Sequence, residues 1–386
     1  MKESSNNIRS ALLVLFVLLT TTVMVRGSNN MLQTTIPLYA AYDFYLSKVE
    51  IGVLSAILGL ATFITTGLVN SRLESHVRRY VFITASILYA SVFVFYFFSS
   101  FLYLWIITAA SGAILGMIFP NLITAAGLFP DRKIRERSLS LYASSLSLSL
   151  IIGPLFEYYI LLHFTLRDTF LFFLPFGIVA ALLSFHIKFP EDEKPQNKTK
   201  FEIRHGFKVA TYLNLSYNIP FILITVFAGI YVHSQLGAPL ADVTLYYTVF
   251  FVTSFISRIL LSLSGRRRLI RPVMLTMTLT VTGMFLMYLS STPEIFAISM
   301  AVLGIPHGLS YPLSLIYLSR SYESNERSAA NSYFFSLMTI IMVAGPILGG
   351  YSTNEIGWRL TFLLIVPIVS ILMVMVFLLI RKDRDQ

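Results

Sequence analysis

Arg167-Asp168-Thr169-Phe170-Leu171, with Pro175 four residues on, returns as Arg359-Leu360-Thr361-Phe362-Leu363, with Pro367 four residues on, at an offset of 192. Two further marks keep the same order. Glu136-Arg137-Ser138 recurs as Glu326-Arg327-Ser328 at an offset of 190, and Gly153-Pro154 recurs as Gly345-Pro346 at 192. Three features in one order at nearly one spacing define an internal repeat, so the chain is read as two similar halves. The join falls in the one long polar stretch, which begins with Glu191-Asp192-Glu193-Lys194-Pro195. Residues 1–188 form the first half, 189–206 a solvated linker and 207–386 the second half.

What each half contains follows from composition. Of 386 residues, 56% are hydrophobic and only 12% are charged, whereas soluble domains carry roughly 25% charged residues. Apolar runs long enough to cross a bilayer occupy 11–40, 51–69, 81–98, 102–128, 139–161, 169–187, 207–232, 243–263, 272–289, 295–318, 329–351 and 360–380. They far exceed the roughly 10 residues of a barrel strand and do not alternate, so helices are the way to satisfy their backbones in lipid. The class is all-α integral membrane, with twelve transmembrane helices as two sets of six.

Charge then orients the chain. If the N-terminus is cytoplasmic, 24 of the 29 Lys and Arg fall in inside segments, counting Lys208 at the cytoplasmic edge of the 207–232 run, the outside loops hold Lys48, Arg167 and Arg359, and Arg26 and Arg258 lie deeper within spans. This is the positive-inside bias, and it places both termini in the cytoplasm. The net charge of +10 is thus distributed over loops rather than gathered in one patch, which argues against nucleic acid as a partner. The apolar run after Lys2 and Arg9 shares its pattern with a cleaved signal peptide. Cleavage would leave eleven helices and an orphaned half-repeat, so the run is read as the first crossing. With no cysteine and six scattered histidines, neither a thiolate nor a zinc centre is expected, and no cofactor is implied.

The whole chain resembles the major facilitator superfamily: twelve helices as six plus six, a charged central segment, and basic turns after helix two (Arg78, Arg79) and helix eight (Arg266 to Arg268). Gly153-Pro154-Leu155 is similar to the family's antiporter motif, and Gly345-Pro346-Ile347-Leu348-Gly349-Gly350 is a fuller version. The turn from Gly67 to Arg79 resembles in part the GxxxDRxGRR signature. Arg72 is kept, Ser71 stands where the family has an acid that helps lock one conformation, and Glu74 replaces a glycine. The resemblance implies a drug- or metabolite-antiporter-like secondary transporter in the plasma membrane. Its solute site would lie between the halves near the midplane, exposed alternately to each side.

Polar residues inside the spans mark where the solute goes, because a charge near a helix centre costs about 2.5–3.5 kcal/mol even on translocon scales. Arg26 shares a helix face with Asn30 and Gln33 at i+4 and i+7, suited to lining a cavity. Helix seven, its repeat partner, carries Thr211, Asn214 and Asn218 on one face. Arg258 lines up with Ser254 and Tyr247, either meeting the solute or pinning helix ends. His307, within Gly304-Ile305-Pro306-His307-Gly308, shares a face with Tyr311 and Ser314 and is either a proton carrier or a hydrogen-bonded link between helices. Glu157 lies about one turn from the outer end, where its side chain is expected to reach water, with proton coupling as the alternative.

Two arginines and a histidine against one acid favour a small polar or anionic organic solute. The Gly-Pro motifs, by resemblance, point to export by exchange with protons. The alternative is proton-coupled uptake of an organic anion. A channel, a non-transporting receptor and a membrane enzyme are weaker readings, the last because no Asp, His or Glu cluster sits at a membrane edge. The partners expected are the solute, protons and the bilayer, with the chain a monomer.

Overall fold

The computed structural model describes residues 2–129, 131–189, 202–263, 269–323 and 326–382. Within them run α1 (Lys2–Tyr42), α2 (Lys48–Val69), α3 (Ser75–Phe97), α4 (Phe101–Ala126), α5 (Arg132–Leu161), α6 (Leu166–Ser184), α7 (His205–Leu236), α8 (Leu240–Leu263), α9 (Ile270–Leu289), α10 (Pro293–Ser321), α11 (Arg327–Glu355) and α12 (Trp358–Lys382). All twelve contain a stretch long and apolar enough to cross a membrane. Several helices outrun their apolar stretches. The Asp131 side chain accepts from Ile134 N at 2.9 Å, starting α5 seven residues before residue 139. Hydropathy stops at the edge of the hydrocarbon, whereas the backbone ladder stops at a cap. The turn holding Arg266 to Arg268, and 190–201 of the expected linker, lie outside the described residues.

Two compact units result: 1–39 with 57–194, and 40–56 with 195–386. Helix α2 divides between them. From Ile57 it belongs to the first unit, while its opening turns group with the second.

Glycine sets the spacing inside each unit. In the first, a Cβ on Gly112 would strike the Leu58 carbonyl, and one on Gly116 would strike Thr65. The gap is closed by hydrogen bonds: Thr62 donates to Gly112 O and Thr66 to Gly116 O, each at 3.0 Å. In the second unit Gly304 and Gly308 bring α10 equally close to Phe250 and Ser254 of α8, and Ser257 donates to Ile305 O at 3.1 Å. The two glycine pairs are related by the same offset of 192. Lipid gives no hydrophobic drive for one helix to leave it for another, so small residues and interhelical hydrogen bonds must supply the contact.

Both units also contain a five-residue π turn, Thr65–Val69 in α2 and Ile224–Ala228 in α7. Such turns leave backbone groups that need outside partners. For α7 the partner is Tyr247, whose hydroxyl accepts from Gly229 N at 3.2 Å and donates to Ile224 O at 2.7 Å. The second half of α7 ends at Gly237 in the left-handed region (φ 74°), a conformation glycine adopts without Cβ strain.

Candidate functional site

In the first unit, α1 places Arg26 with its guanidinium carbon 3.5 Å from the centroid of the Phe119 ring on α4. The phenols of Tyr89 on α3 and Tyr142 on α5 lie alongside it. Tyr89 is held there by a 2.9 Å hydrogen bond with Ser28. Arg26 Nε, Asn29 Oδ1 and Asn30 Nδ2 are all buried without a hydrogen-bond partner. Gln33 continues the face and is half-buried. Arg26, Asn30 and Gln33 were legible as a stripe. Asn29, at i+3 from Arg26, belongs with them by the same periodicity, while Phe119 and Tyr142 carry no signal in their own helices.

Glu157 departs from expectation. Its side chain does not reach water: the residue is fully buried and accepts a short hydrogen bond from Thr35 on α1, while Oε2 has no partner. The Gly153-Pro154 motif one turn earlier explains this. Gly153 packs so tightly on α1 that an added Cβ would lie 2.5 Å from Gly27 O, and this crossing presses the following turn of α5 against Thr35. A carboxylate met only by threonine hydroxyls, with no cation among its partners in the described residues, would be heavily penalised in such a place. The neutral acid fits it.

The second unit gathers a different set. The ring of His307 on α10 stacks on Phe221 (centroids 4.8 Å, 19°) and is flanked by Tyr217 at 5.4 Å, Phe250 at 5.2 Å and Phe251 at 5.6 Å. Its Nδ1 shares a 2.8 Å hydrogen bond with Ser254. Arg258, half-buried on α8, lies near His307 and near the Tyr217 and Tyr311 phenols. Tyr311 is 40% exposed, and its ring lies 6.1 Å from Phe335. Tyr217, which sequence reasoning did not select, is buried with a hydroxyl that has no hydrogen-bond partner.

Three expected residues of this unit have their polar atoms engaged inside it. Asn218 donates to Asn214 and contacts Met338 Sδ at 3.1 Å, so the amide pair partly satisfies itself. Tyr247 corrects the sequence reading: it is 2% exposed and its hydroxyl is consumed by the π turn of α7. A shared helix face told that Tyr247 points inward, and could not tell a lumen from a neighbouring helix.

The motif residues act through packing. Gly345 and Gly349 admit Ile222, Leu223 and Phe227 of α7 to within 2.6–2.8 Å of where a Cβ would stand. Gly350 faces Lys48 O, and Pro346, which is buried, presents its carbonyl to Gly52. Pro154 is buried beside Gly153. In the partial signature, Arg78 donates to Leu73 O at 2.9 Å and Arg79 to Phe185 O at 3.2 Å, while Arg72 is exposed. Gly67 has open space around it, so nothing there demands a glycine. A link absent from the sequence reading ties this end of α2 to α4: buried Asn121 donates to buried Asn70 at 2.7 Å. In the second unit, Glu326 of the repeated triplet accepts from Arg204 at 2.7 Å, and Arg204 also donates to Ser321 O. The neighbouring Tyr322 hydroxyl donates to Glu202 O at 2.7 Å, and burial raises its pKa.

Known proteins share this architecture. AraJ of Escherichia coli (strain K12) is 32% identical over 123 residues, 32% of this chain and 31% of AraJ. The MFS-type efflux pump elcC of Phaeosphaeria nodorum is 31% identical over 84 residues, 22% of this chain and 15% of that protein. The aligned stretches thus span less than a third of either relative. Among solved structures, a bacterial homolog to the human lysosomal transporter Spinster, in an inward-facing and occupied conformation, superposes with a TM-score of 0.72. That match covers 95% of this chain and 96% of the other at 14% identity, a likeness of fold alone. The family description Major Facilitator Superfamily matches residues 18–241 and 213–386. With twelve spanning helices in two repeats and a description that spans nearly its whole length, the chain is a membrane transporter of the Major Facilitator Superfamily.

Proposed function

We propose that this transporter exports a small polar or anionic organic solute by alternating access, in exchange for protons. The repeats 1–188 and 207–386 serve as its halves. The observation that carries the reading is Arg26, a cation inside a membrane span whose near neighbours are the Phe119 ring and the Tyr89 and Tyr142 phenols, with no carboxylate among its partners in the described residues. Such a group is costly unless a mobile anion meets it. Arg258, beside the Tyr217 and Tyr311 phenols, is a second cation within a span of the other repeat. Asn30, Gln33, Asn214, Asn218 and His307 supply neutral hydrogen-bonding groups.

Glu157 is the proton carrier in this reading. Its carboxyl is stable in a dry contact only when neutral, so losing the proton requires the Thr35 contact to open to water. His307 supports the role less well, because an added charge would meet Arg258 and four aromatic rings rather than an acid. Export is favoured over uptake by the Gly-Pro motif and by elcC, which is named as an efflux pump. The chain would work as a monomer in the plasma membrane with both ends in the cytoplasm.

The test uses purified protein in two steps. Thermal shift against a panel of organic anions and cations selects the ligand, and proteoliposomes loaded with a pH-sensitive dye then report proton movement when that ligand is added. Saturable flux with protons moving the opposite way supports exchange. Protons moving with the solute establish uptake by symport, and solute flux that neither saturates nor shows counterflow leaves a channel.

A further inference from the structure

We propose that the Arg26 cluster recognises a polyhydroxylated monocarboxylate, a sugar acid, with the carboxylate on the guanidinium and the hydroxyls on the amides of α1. This rests on the transport reading and names its solute class. Arg26 Nε, Asn29 Oδ1 and Asn30 Nδ2 lack hydrogen-bond partners, and the two asparagines are 2% and 7% exposed. Burying such atoms unpaired is unfavourable, because they lose water and gain nothing in return. Their positions are ordered. At 100° per residue, Arg26, Asn29, Asn30 and Gln33 fall within about one third of the helix circumference, and at 1.5 Å per residue the amides stand roughly 4.5–10.5 Å beyond Arg26 along the axis.

The chemistry narrows the ligand step by step. One guanidinium, aided by the Tyr142 phenol, matches one carboxylate, which it can engage through two parallel hydrogen bonds. A dianionic phosphate would leave a charge uncompensated. The amides are neutral and present both an acceptor and a donor, so their complement is a neutral group that does both, namely a hydroxyl. An ammonium is disfavoured beside Arg26, because no acid is among the described groups placed against it, and two acids of the first unit have partners of their own: Glu157 on α5 with Thr35, and Asp168 on α6 in the capping box with Thr165. A fatty acid would satisfy Arg26 and leave Asn29 and Asn30 unpaired. A row of hydroxyls on a chain of about six carbons satisfies both ends.

Three six-carbon probes separate the parts: D-gluconate carries charge and hydroxyls, hexanoate charge alone, and sorbitol hydroxyls alone. Binding to the purified full chain is measured by calorimetry. Gluconate should bind at least tenfold more tightly than hexanoate and at least a hundredfold more tightly than sorbitol. In Asn29→Leu the advantage of gluconate over hexanoate should shrink at least threefold while hexanoate keeps its affinity. Asn29→Ala, which removes the acceptor without adding bulk, gives the same comparison should the leucine variant not fold. Equal binding of gluconate and hexanoate, sorbitol binding as well as gluconate, no binding of any of the three, or an undiminished preference in the Asn29 variants would each overturn the assignment. Flux is scored separately. Gluconate binding without flux keeps the site and removes transport, whereas saturable flux of another solute with no gluconate preference keeps transport and removes this inference.

Discussion

Gly304→Ala adds one methyl group where the structure has no room. The new Cβ would collide with Phe250 O and Thr253 Oγ1 of α8 and stand 2.9 Å from the Phe250 carbonyl carbon. The threonine can rotate, but the backbone cannot, so α8 and α10 must separate by a sizeable fraction of an ångström. Separation stretches the 3.1 Å hydrogen bond from Ser257 to Ile305 O and the 2.8 Å contact between Ser254 and His307. Overpacking of this kind costs about 1–3 kcal/mol. Alanine's better helix propensity returns up to about 1 kcal/mol, so the net sign is destabilising. Gly67→Ala is the matched control, because its Cβ would meet open space. With roughly 2–4 °C per kcal/mol for a body of this size, the melting midpoint of Gly304→Ala in detergent should fall by several degrees, and that of Gly67→Ala should hold or rise. Gly112→Ala should behave like Gly304→Ala. A midpoint for Gly304→Ala equal to that of Gly67→Ala would refute the close-contact account of the repeated glycine pairs.

Glu157→Gln fixes the side chain in a neutral form, so solute-for-solute exchange should persist while transport driven by a proton gradient is lost; an unchanged pH profile would remove Glu157 from coupling. Arg26→Gln should abolish solute flux with normal membrane insertion, and unaltered kinetics would take Arg26 out of the site. Tyr247→Phe strands Gly229 N–H in the α7 π turn, a loss of about 1–3 kcal/mol; a lower melting midpoint with unchanged KM is expected, and a raised KM at unchanged stability would restore Tyr247 to the solute site. Glu326→Gln should cost about 1 kcal/mol or less, because the bridge to Arg204 is partly solvated, with the cost shrinking at high salt.

The features that the bilayer dictates were legible in residue order. Spans follow from apolar length, and the repeat from Gly-Pro, the triplet and the Arg-Thr-Phe-Leu segment. Arg26 was legible because lipid makes a buried cation conspicuous. Asn29 was within reach of the same periodicity, one position before Asn30. Phe119 and Tyr142 were not, since an aromatic residue in a membrane helix is ordinary until another helix brings a guanidinium to it. Glu157 was misplaced for a related reason. Its distance from the end of the apolar run suggested access to water, but access is set by how tightly α1 covers it, and Gly27 opposite Gly153 makes that cover close. Helix periodicity reports which way a side chain points and leaves open what stands there.

The repeat separates scaffold from chemistry. At the offset of 192, Gly112, Gly116, Gly153, Pro154 and Pro175 meet Gly304, Gly308, Gly345, Pro346 and Pro367. These are residues that set helix spacing and bends. At the same offset Arg26 meets Asn218, Phe119 meets Tyr311, Tyr142 meets Phe334 and Glu157 meets Gly349, while Arg258 and His307 answer to Thr66 and Leu115. None of the charged groups of the candidate sites is duplicated. In the first unit the cation comes from α1, and in the second from α8, whose arginine has no counterpart on α2. Duplicated packing with unduplicated charge means that the repeat conserves helix spacing and bends, while each unit carries its own set of buried polar groups.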